Sequence, residues 1–174
     1  FWNGVVKMNN WHQHRISKLI TKKLFGTLSG KKIAILGFAF KSNTNDTRES
    51  AAIQICKDLM EEGAILSIHD PKVSVKQIEL DLKVAPYLEN EKNGIHNNLK
   101  EGIWNFSYDI ESALIDADAA LILTEWNDYS KINWFEAHKE MRKPAWVFDS
   151  RSITDPKKVK DAGINFWRVG DGVS

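Results

Sequence analysis

A chain of 174 residues, 43% hydrophobic and 27% charged, has the composition of one well-filled globular core. Its 24 Lys and Arg against 23 Asp and Glu leave a net charge of +1 with no basic block, which argues against nucleic acid or a membrane surface as partner and makes any anion recognition local. No apolar run approaches membrane-spanning length, the opening FWNGVVKMNN lacks the basic region of a secretory signal, and the single Cys56 excludes an internal disulfide and suits a reducing cytoplasm.

Residues Phe1 to Phe25 read as a long helix, because Val5, Met8, His12, Ile16, Leu19, Ile20 and Leu24 recur at helical spacing and Gly26 follows as a stop. Gly4 weakens its first turn. His12 and His14 lie two apart and point away from each other on a helix, so they meet no metal-ligand spacing and read as a solvated face. The chain opens at Phe1-Trp2, already inside this periodicity and without an initiator Met, and is expected to be the excised C-terminal portion of a longer protein.

Lys31 to Ser50 is the stretch around which the remaining elements are organised. Ile33-Ala34-Ile35-Leu36 is a continuous apolar run, the pattern of a strand covered on both faces in a parallel sheet. After Gly37 come Phe38-Ala39-Phe40-Lys41, a polar loop, and a helix opening at Ser50-Ala51-Ala52-Ile53. Lys41 is thereby placed just past the carboxyl end of a buried strand, where open α/β sheets bind ligands. The dinucleotide fingerprint is not met: Ala39 stands where GxGxxG needs its second glycine, and no third glycine opens the helix. A phosphate here needs side chains such as Lys41, because this backbone cannot cradle it in the ordinary way.

Further along, Ala52, Ile53, Cys56, Leu59 and Met60 line one face of a helix that ends at Gly63, and Cys56, lying in that apolar stripe, reads as a buried structural thiol. Ala64 to His69 is a second strand, closed by Asp70-Pro71. An acid at this place holds a ribose hydroxyl in a dinucleotide domain, but Pro71 fixes the local geometry and an Asp-Pro turn is the preferred reading. Val75 to Leu82 is a short helix, and Lys83 to Gly102, with Asn93-Gly94, is a polar surface excursion expected to be the least ordered part. A third strand falls near Trp104 to Tyr108 and a short helix at Ile110 to Ile115. Ala119 to Leu123 is a buried strand ending in Thr124-Glu125-Trp126, which serves equally as a helix cap with a packed aromatic or as part of a site. A helix from Trp134 to Met141 is broken by Pro144, and Ala145 to Phe148 forms a strand that delivers Asp149-Ser150-Arg151. The last helix is Pro156 to Asp161 and the last strand Ile164 to Trp167. Strands alternating with helices predict an α/β fold, a doubly wound, mostly parallel Rossmann-like sheet preceded by the long N-terminal helix.

On that fold Phe40 and Lys41, Thr124 to Trp126, and Asp149 to Arg151 all fall at carboxyl ends of strands, so three stretches converge on one edge. Two cations, Lys41 and Arg151, suit a diphosphate there. Arg48 stands near a helix start, where the macrodipole disfavours a cation, so either an anionic ligand or the adjacent Glu49 accounts for it.

GFAFK followed by TNDTRES resembles the start of the C-terminal domain of the UDP-glucose 6-dehydrogenase family, NAD-dependent enzymes that oxidise UDP-glucose to UDP-glucuronate. The resemblance runs from VVKMNN through HDPKV, TEW and KPAWVFD to the last strand and is weakest over Lys83 to Gly102. Ser150 departs from the family's Asp-Gly-Arg, which bears on how sharply the backbone turns there. The resemblance implies that residues 1–26 end a central connecting and dimerisation helix and that residues 31–174 form a UDP-sugar-binding domain. It implies that Lys41 and Arg151 contact the UDP-sugar with Phe40 alongside, and that Arg48 reaches NAD held mainly by an N-terminal domain. The family reaction, two hydride transfers to NAD with a covalent cysteine adduct between them, needs a thiolate from a glycine-rich motif upstream, which is not Cys56. By this resemblance the chain alone is expected to be inactive and to work with the catalytic domain of its own chain and a second copy, in a homo-oligomer. Two other readings stay open: a different nucleotide-sugar dehydrogenase acting on a UDP- or GDP-sugar, or a stand-alone, non-catalytic nucleotide-binding module.

Overall fold

A computed structural model describes residues 2–88 and 101–169, the side chains of residues 2–12 excepted. Most of the surface excursion expected at Lys83 to Gly102, and the side chains of Val5, Met8 and His12, lie outside the described residues. Six strands form one sheet: β1 (Lys32–Leu36), β2 (Ile65–His69), β3 (Ile103–Phe106), β4 (Ala119–Ile122), β5 (Trp146–Asp149) and β6 (Asn165–Arg168). Their order is β3-β2-β1-β4-β5-β6 and every pairing is parallel, so the predicted doubly wound α/β sheet is present. The helices among the described residues are α1 (Trp2–Lys23), α2 (Ala51–Glu61), α3 (Val75–Leu82), α4 (Ile110–Leu114), α5 (Asn127–Ser130), α6 (Trp134–Glu140) and α7 (Pro156–Asp161).

The central strands are apolar throughout because helices cover both faces: every residue of β4, and of β1 after Lys32, is buried. The chain steps outward from β1 to β2 and β3, then returns to the other side of β1 as β4, which makes the gap between β1 and β4 the switch point of the sheet. Register sharpens that geometry. Leu36 pairs with both His69 and Ile122, and Ile122 pairs with Asp149, so four strands end in one row and the residues after them share one edge.

Helix α1 belongs to the core through its last turn, since Ile20 and, just past the helix end, Leu24 are buried with the sheet residues. It ends where Phe25 and Gly26 adopt φ of 67° and 82°. It is also tied to α2. The buried Asp58 accepts from His14 Nδ1 at 2.6 Å, from Ser17 Oγ at 3.1 Å and from Gln54 Nε2 at 2.8 Å. His14 is therefore not simply solvated; it is 48% exposed and anchors α1 through a contact that sequence spacing does not encode.

In α2 the buried stripe is Ala52, Ile55, Cys56, Leu59 and Met60, while Ile53, expected on that face, is half-buried beside it. Ser50 caps this helix, accepting from Ala52 N–H at 3.3 Å. Cys56 is a free, buried thiol whose pKa burial pushes up, so it is a packing residue. No helix among the described residues is long and apolar enough to cross a membrane.

Candidate functional site

The site is built on the loop after β1. Gly37 has φ +102°, and a Cβ there would lie 2.4 Å from Thr124 Cβ and 2.7 Å from the Thr124 backbone nitrogen. A glycine is needed because the chain leaving β1 passes against the chain leaving β4 at the switch point. Thr124 completes that crossing: it is buried, and its hydroxyl donates to the Ala39 carbonyl at 2.8 Å.

Five of the six amides from Gly37 to Ser42 are consumed by the protein itself. Gly37 N–H donates to the His69 carbonyl at 2.9 Å, and Phe38 and Ala39 N–H donate to Asp70 Oδ2 at 2.8 and 3.0 Å. Phe40 N–H donates to the Asp46 carbonyl at 2.8 Å and Ser42 N–H to Glu125 Oε1 at 3.1 Å. In a glycine-rich nucleotide loop such groups face a phosphate. Here the buried Asp70 takes that role as an internal anion. Its Oδ2 also accepts from Trp126 Nε1 at 3.2 Å, and its Oδ1 accepts from the N–H groups of Lys72 and Val73 at 2.8 and 3.0 Å. Asp70 is thus the turn residue that Pro71 suggested, with a wider reach; five donors saturate it, and none of its capacity is left for a ribose.

On the far side of the switch point, Asp149 does the same for the loop after β5. It is buried at the strand end and accepts from Arg151 and Ser152 N–H, both at 2.8 Å, and from Ile153 and Thr154 N–H at 2.9 and 2.8 Å. The turn needs no glycine at Ser150: the positive φ falls on Ser152, at 56°, and Ser150 Oγ instead donates to the Ile122 carbonyl at 2.6 Å. This turn sends Arg151 back across β4. Its Nε donates to the Leu123 carbonyl at 2.9 Å, its Nη2 to the Phe40 carbonyl at 3.4 Å, and Nε lies 3.5 Å from Glu125 Oε2.

The structure therefore brings Phe40 and Arg151 into contact, with the exposed Lys41 next in the chain and Phe40 itself 43% exposed. Thr124 and Glu125 reach into the same loop, and Trp126 reaches Asp70, which holds that loop from the end of β2. Trp126 is a packed aromatic at the start of α5 without a side-chain cap, so the triplet matches neither simple reading alone. A polar hollow of about 410 Å³, lined by Asn43, Thr44, Asn45 and Lys72, opens beside the loop.

Arg48 is placed differently. Its side chain is 88% exposed and chelates Asp46, with Nε 3.0 Å from Oδ1 and Nη2 2.8 Å from Oδ2. The hydrogen bonds from Arg48 hold the Asp46 carboxyl down at about 2. The neighbour that neutralises Arg48 is thus Asp46 rather than Glu49, and Arg48 precedes the first turn of α2, which starts at Ala51. Asp70, Thr124 and Glu125 are the residues that sequence reasoning undervalued, although each stands within three residues of a strand end.

What this edge can do chemically is hold an anion by side-chain cations over a loop most of whose amides are already spent. Among the described residues no cluster of three His, Cys, Asp or Glu suits a metal ion. The model of the UDP-glucose/GDP-mannose dehydrogenase family, UDP binding domain, matches residues 34–156. Over 170 residues the chain is 39% identical to UDP-glucose 6-dehydrogenase of Caenorhabditis elegans and 40% identical to that of Drosophila melanogaster, covering 98% of this chain and 34% of each relative. It thus spans about a third of their length. Among solved structures, a UDP-glucose dehydrogenase from Pyrobaculum islandicum shares the fold with a TM-score of 0.66 and 23% identity, over 95% of this chain and 31% of that one. The NDP-N-acetyl-D-galactosaminuronic acid dehydrogenase from Methanosarcina mazei Go1 does so at 0.67 and 21%, over 92% and 29%. Sequence, fold and the matched span together place the chain in the UDP-glucose/GDP-mannose dehydrogenase family, with residues 34–156 corresponding to its UDP-binding domain.

Proposed function

We propose that the chain is the C-terminal nucleotide-sugar-binding domain of an NAD-dependent UDP-glucose 6-dehydrogenase, and that Lys41 and Arg151 clamp the diphosphate with Phe40 alongside. The observation that carries this reading is the placement of Arg151 on the Phe40 carbonyl at 3.4 Å, at the switch point, over a loop in which Asp70 and Glu125 have taken the amides of Phe38, Ala39 and Ser42. With the amides of Gly37 to Phe40 and of Ser42 spent, a bound phosphate draws its counter-charge from side-chain cations, and Arg151 and Lys41 are the two that flank the crossing. The binding energy of the nucleotide then positions the sugar for chemistry carried out elsewhere.

In this reading residues 1–26 end the connecting helix, and the partners are a UDP-sugar, the catalytic domain of the same chain and a second copy in a homo-oligomer. NAD is held mainly by that catalytic domain. Arg48 suits a contribution from this side because it is exposed on the loop and already coordinates a carboxylate, Asp46, with the planar fork that a pyrophosphate also fits.

Titrating UDP-glucose, UDP, UMP and GDP-mannose into the chain tests the reading. UDP-glucose and UDP are expected to bind alike and at least about tenfold more tightly than UMP, which offers the cations one phosphate instead of two. UMP binding as well as UDP would remove the diphosphate clamp, and preference for GDP-mannose would favour the other nucleotide-sugar enzymes of the family. Mixed with UDP-glucose and NAD, the chain is expected to yield no NADH, since Cys56 is buried and its thiol pKa raised.

A further inference from the structure

One side chain touches two of the three stretches that meet at the strand ends. Glu125, two residues past Leu123, accepts from Ser42 N–H through Oε1 at 3.1 Å, while its Oε2 lies 3.5 Å from Arg151 Nε. That Oε2 is closed off from solvent and accepts no hydrogen bond. Arg151 Nε is already committed to the Leu123 carbonyl at 2.9 Å, so what holds it to Glu125 is charge rather than a shared proton.

A carboxylate beside an anion site is costly, because it repels the ligand that the neighbouring cations attract. Its placement calls for a compensating function, and two ordinary ones do not apply. Glu125 is not a helix cap, since α5 starts at Asn127 behind Trp126 with no side-chain cap bond. It is not core filling either, since a third of the side chain, 33%, is exposed. What it does touch is the turn that carries Lys41 and the guanidinium of Arg151, which come from loops on opposite sides of β4.

We infer that Glu125 is a positioning residue for the diphosphate clamp: one carboxylate sets the spacing between the 40–42 turn and Arg151, so that both cations are ordered before the ligand arrives. The inference rests on the diphosphate reading of Lys41 and Arg151. A long arginine side chain loses rotamer freedom when it binds, and fixing it in advance moves that cost out of the binding step. The repulsion is tolerated because Arg151, interposed between carboxylate and ligand, cancels the charge locally.

The test is a double-mutant cycle on UDP binding to this chain, followed by backbone amide shifts so that weak binding stays measurable. The set is wild type, Glu125→Ala, Glu125→Gln, Arg151→Met and Glu125→Ala with Arg151→Met. Glu125→Ala is expected to raise Kd about fivefold, and Glu125→Gln, which keeps an acceptor for Ser42 N–H, about twofold. With Arg151 already removed, adding Glu125→Ala is expected to cost less than about twofold more, because the carboxylate then has only one loop left to hold.

If the two losses multiply in the double variant, Glu125 does not act through Arg151 and the inference fails. It fails equally if Glu125→Ala binds UDP as tightly as wild type or more tightly, since the carboxylate then only repels. Should Glu125→Ala not fold, the same cycle run with Glu125→Gln decides, with the twofold loss expected to vanish in the Arg151→Met background. Absence of any UDP-dependent shift in the wild type would overturn the diphosphate reading and this inference together, whereas binding with multiplicative losses overturns the inference alone.

Discussion

Arg151 Nη2 donates to the Phe40 carbonyl at 3.4 Å, joining two loops that lie 111 positions apart in the sequence. The contact is possible because β1, β4 and β5 end in register, so that a side chain leaving β5 needs to cross only β4 to reach the loop after β1. It places a cation at the switch point without any help from the next helix.

From this geometry, Lys41→Met and Arg151→Met are each expected to weaken UDP binding by roughly tenfold or more, because a hydrogen bond to a charged group contributes about 1.5 to 3 kcal/mol. Lys160→Met is the control, being an exposed lysine on α7. Calorimetric titration at one fixed salt concentration compares the three. Equal affinities across all of them would move the nucleotide away from this edge.

Gly37→Ala is expected to destabilise the fold by about 2 kcal/mol or more, from positive-φ strain and overpacking together. The new methyl would meet Thr124 Cβ and Oγ1, both at 2.4 Å, and the Thr124 backbone nitrogen at 2.7 Å. Trimming the side chain with Thr124→Gly removes the first two contacts and leaves the third. Denaturant melts should therefore show the double variant no more stable than Gly37→Ala; full recovery would mean that the backbones can separate at the crossing.

The elements were legible where local chemistry decides them. Val75–Leu82 and Pro156–Asp161 match their expected bounds because each is closed by its own residues: Ser74 and Asp155 cap the starts, and Lys83 takes a left-handed φ of 59° at the end of the first. The apolar runs of β1 and β4 were readable for a similar reason, since burial on both faces leaves no alternation to misjudge. The contacts that build the site were not. Asp70 meets Phe38 from 32 positions away, Glu125 meets Ser42 from 83, and His14 meets Asp58 from 44, and no periodicity within a segment carries such pairings. Arg48 is the local exception. Adjacency suggested Glu49 as its partner, but Glu49 contributes only its charge, while Asp46 caps the Arg48 amide at 2.9 Å and meets its guanidinium.

The chelation of Arg48 by Asp46 leads to a paired expectation for the full-length protein. If Arg48 serves NAD, Arg48→Ala should raise the KM for NAD roughly tenfold while changing that for UDP-glucose far less. Asp46→Asn should lower the KM for NAD, because it releases the guanidinium from its internal carboxylate. Steady-state kinetics on the two variants check both signs. Unchanged constants in each would leave Arg48 as a tie within its own loop.

The last expectation concerns pH. His69 is the final residue of β2 and is buried against Tyr129, with Nδ1 2.9 Å from the Tyr129 hydroxyl and the rings edge to face at 5.7 Å. The Tyr129 hydroxyl spends its proton on the His69 carbonyl at 3.1 Å, so it accepts from His69, and Nδ1 carries the hydrogen of a neutral imidazole. Burial holds the His69 pKa below its ordinary value of 6.5, and the opposing pull of Asp70, Asp109, Asp128 and Glu111 does not overcome it. The unfolded chain therefore takes up a proton at a higher pH than the folded one does. Stability from the neutral ring is complete above 6.5 and is lost as pH falls from there through the lower folded pKa. Melting temperatures measured from about pH 7.5 to about pH 5 should fall more steeply for wild type than for His69→Gln, which cannot titrate. The other four histidines, His12, His14, His96 and His138, are common to both proteins, so the difference between the two slopes isolates His69. Parallel slopes would mean that the ring is protonated as easily in the folded chain as in the unfolded one, and that the hydrogen bond to Tyr129 survives the charge.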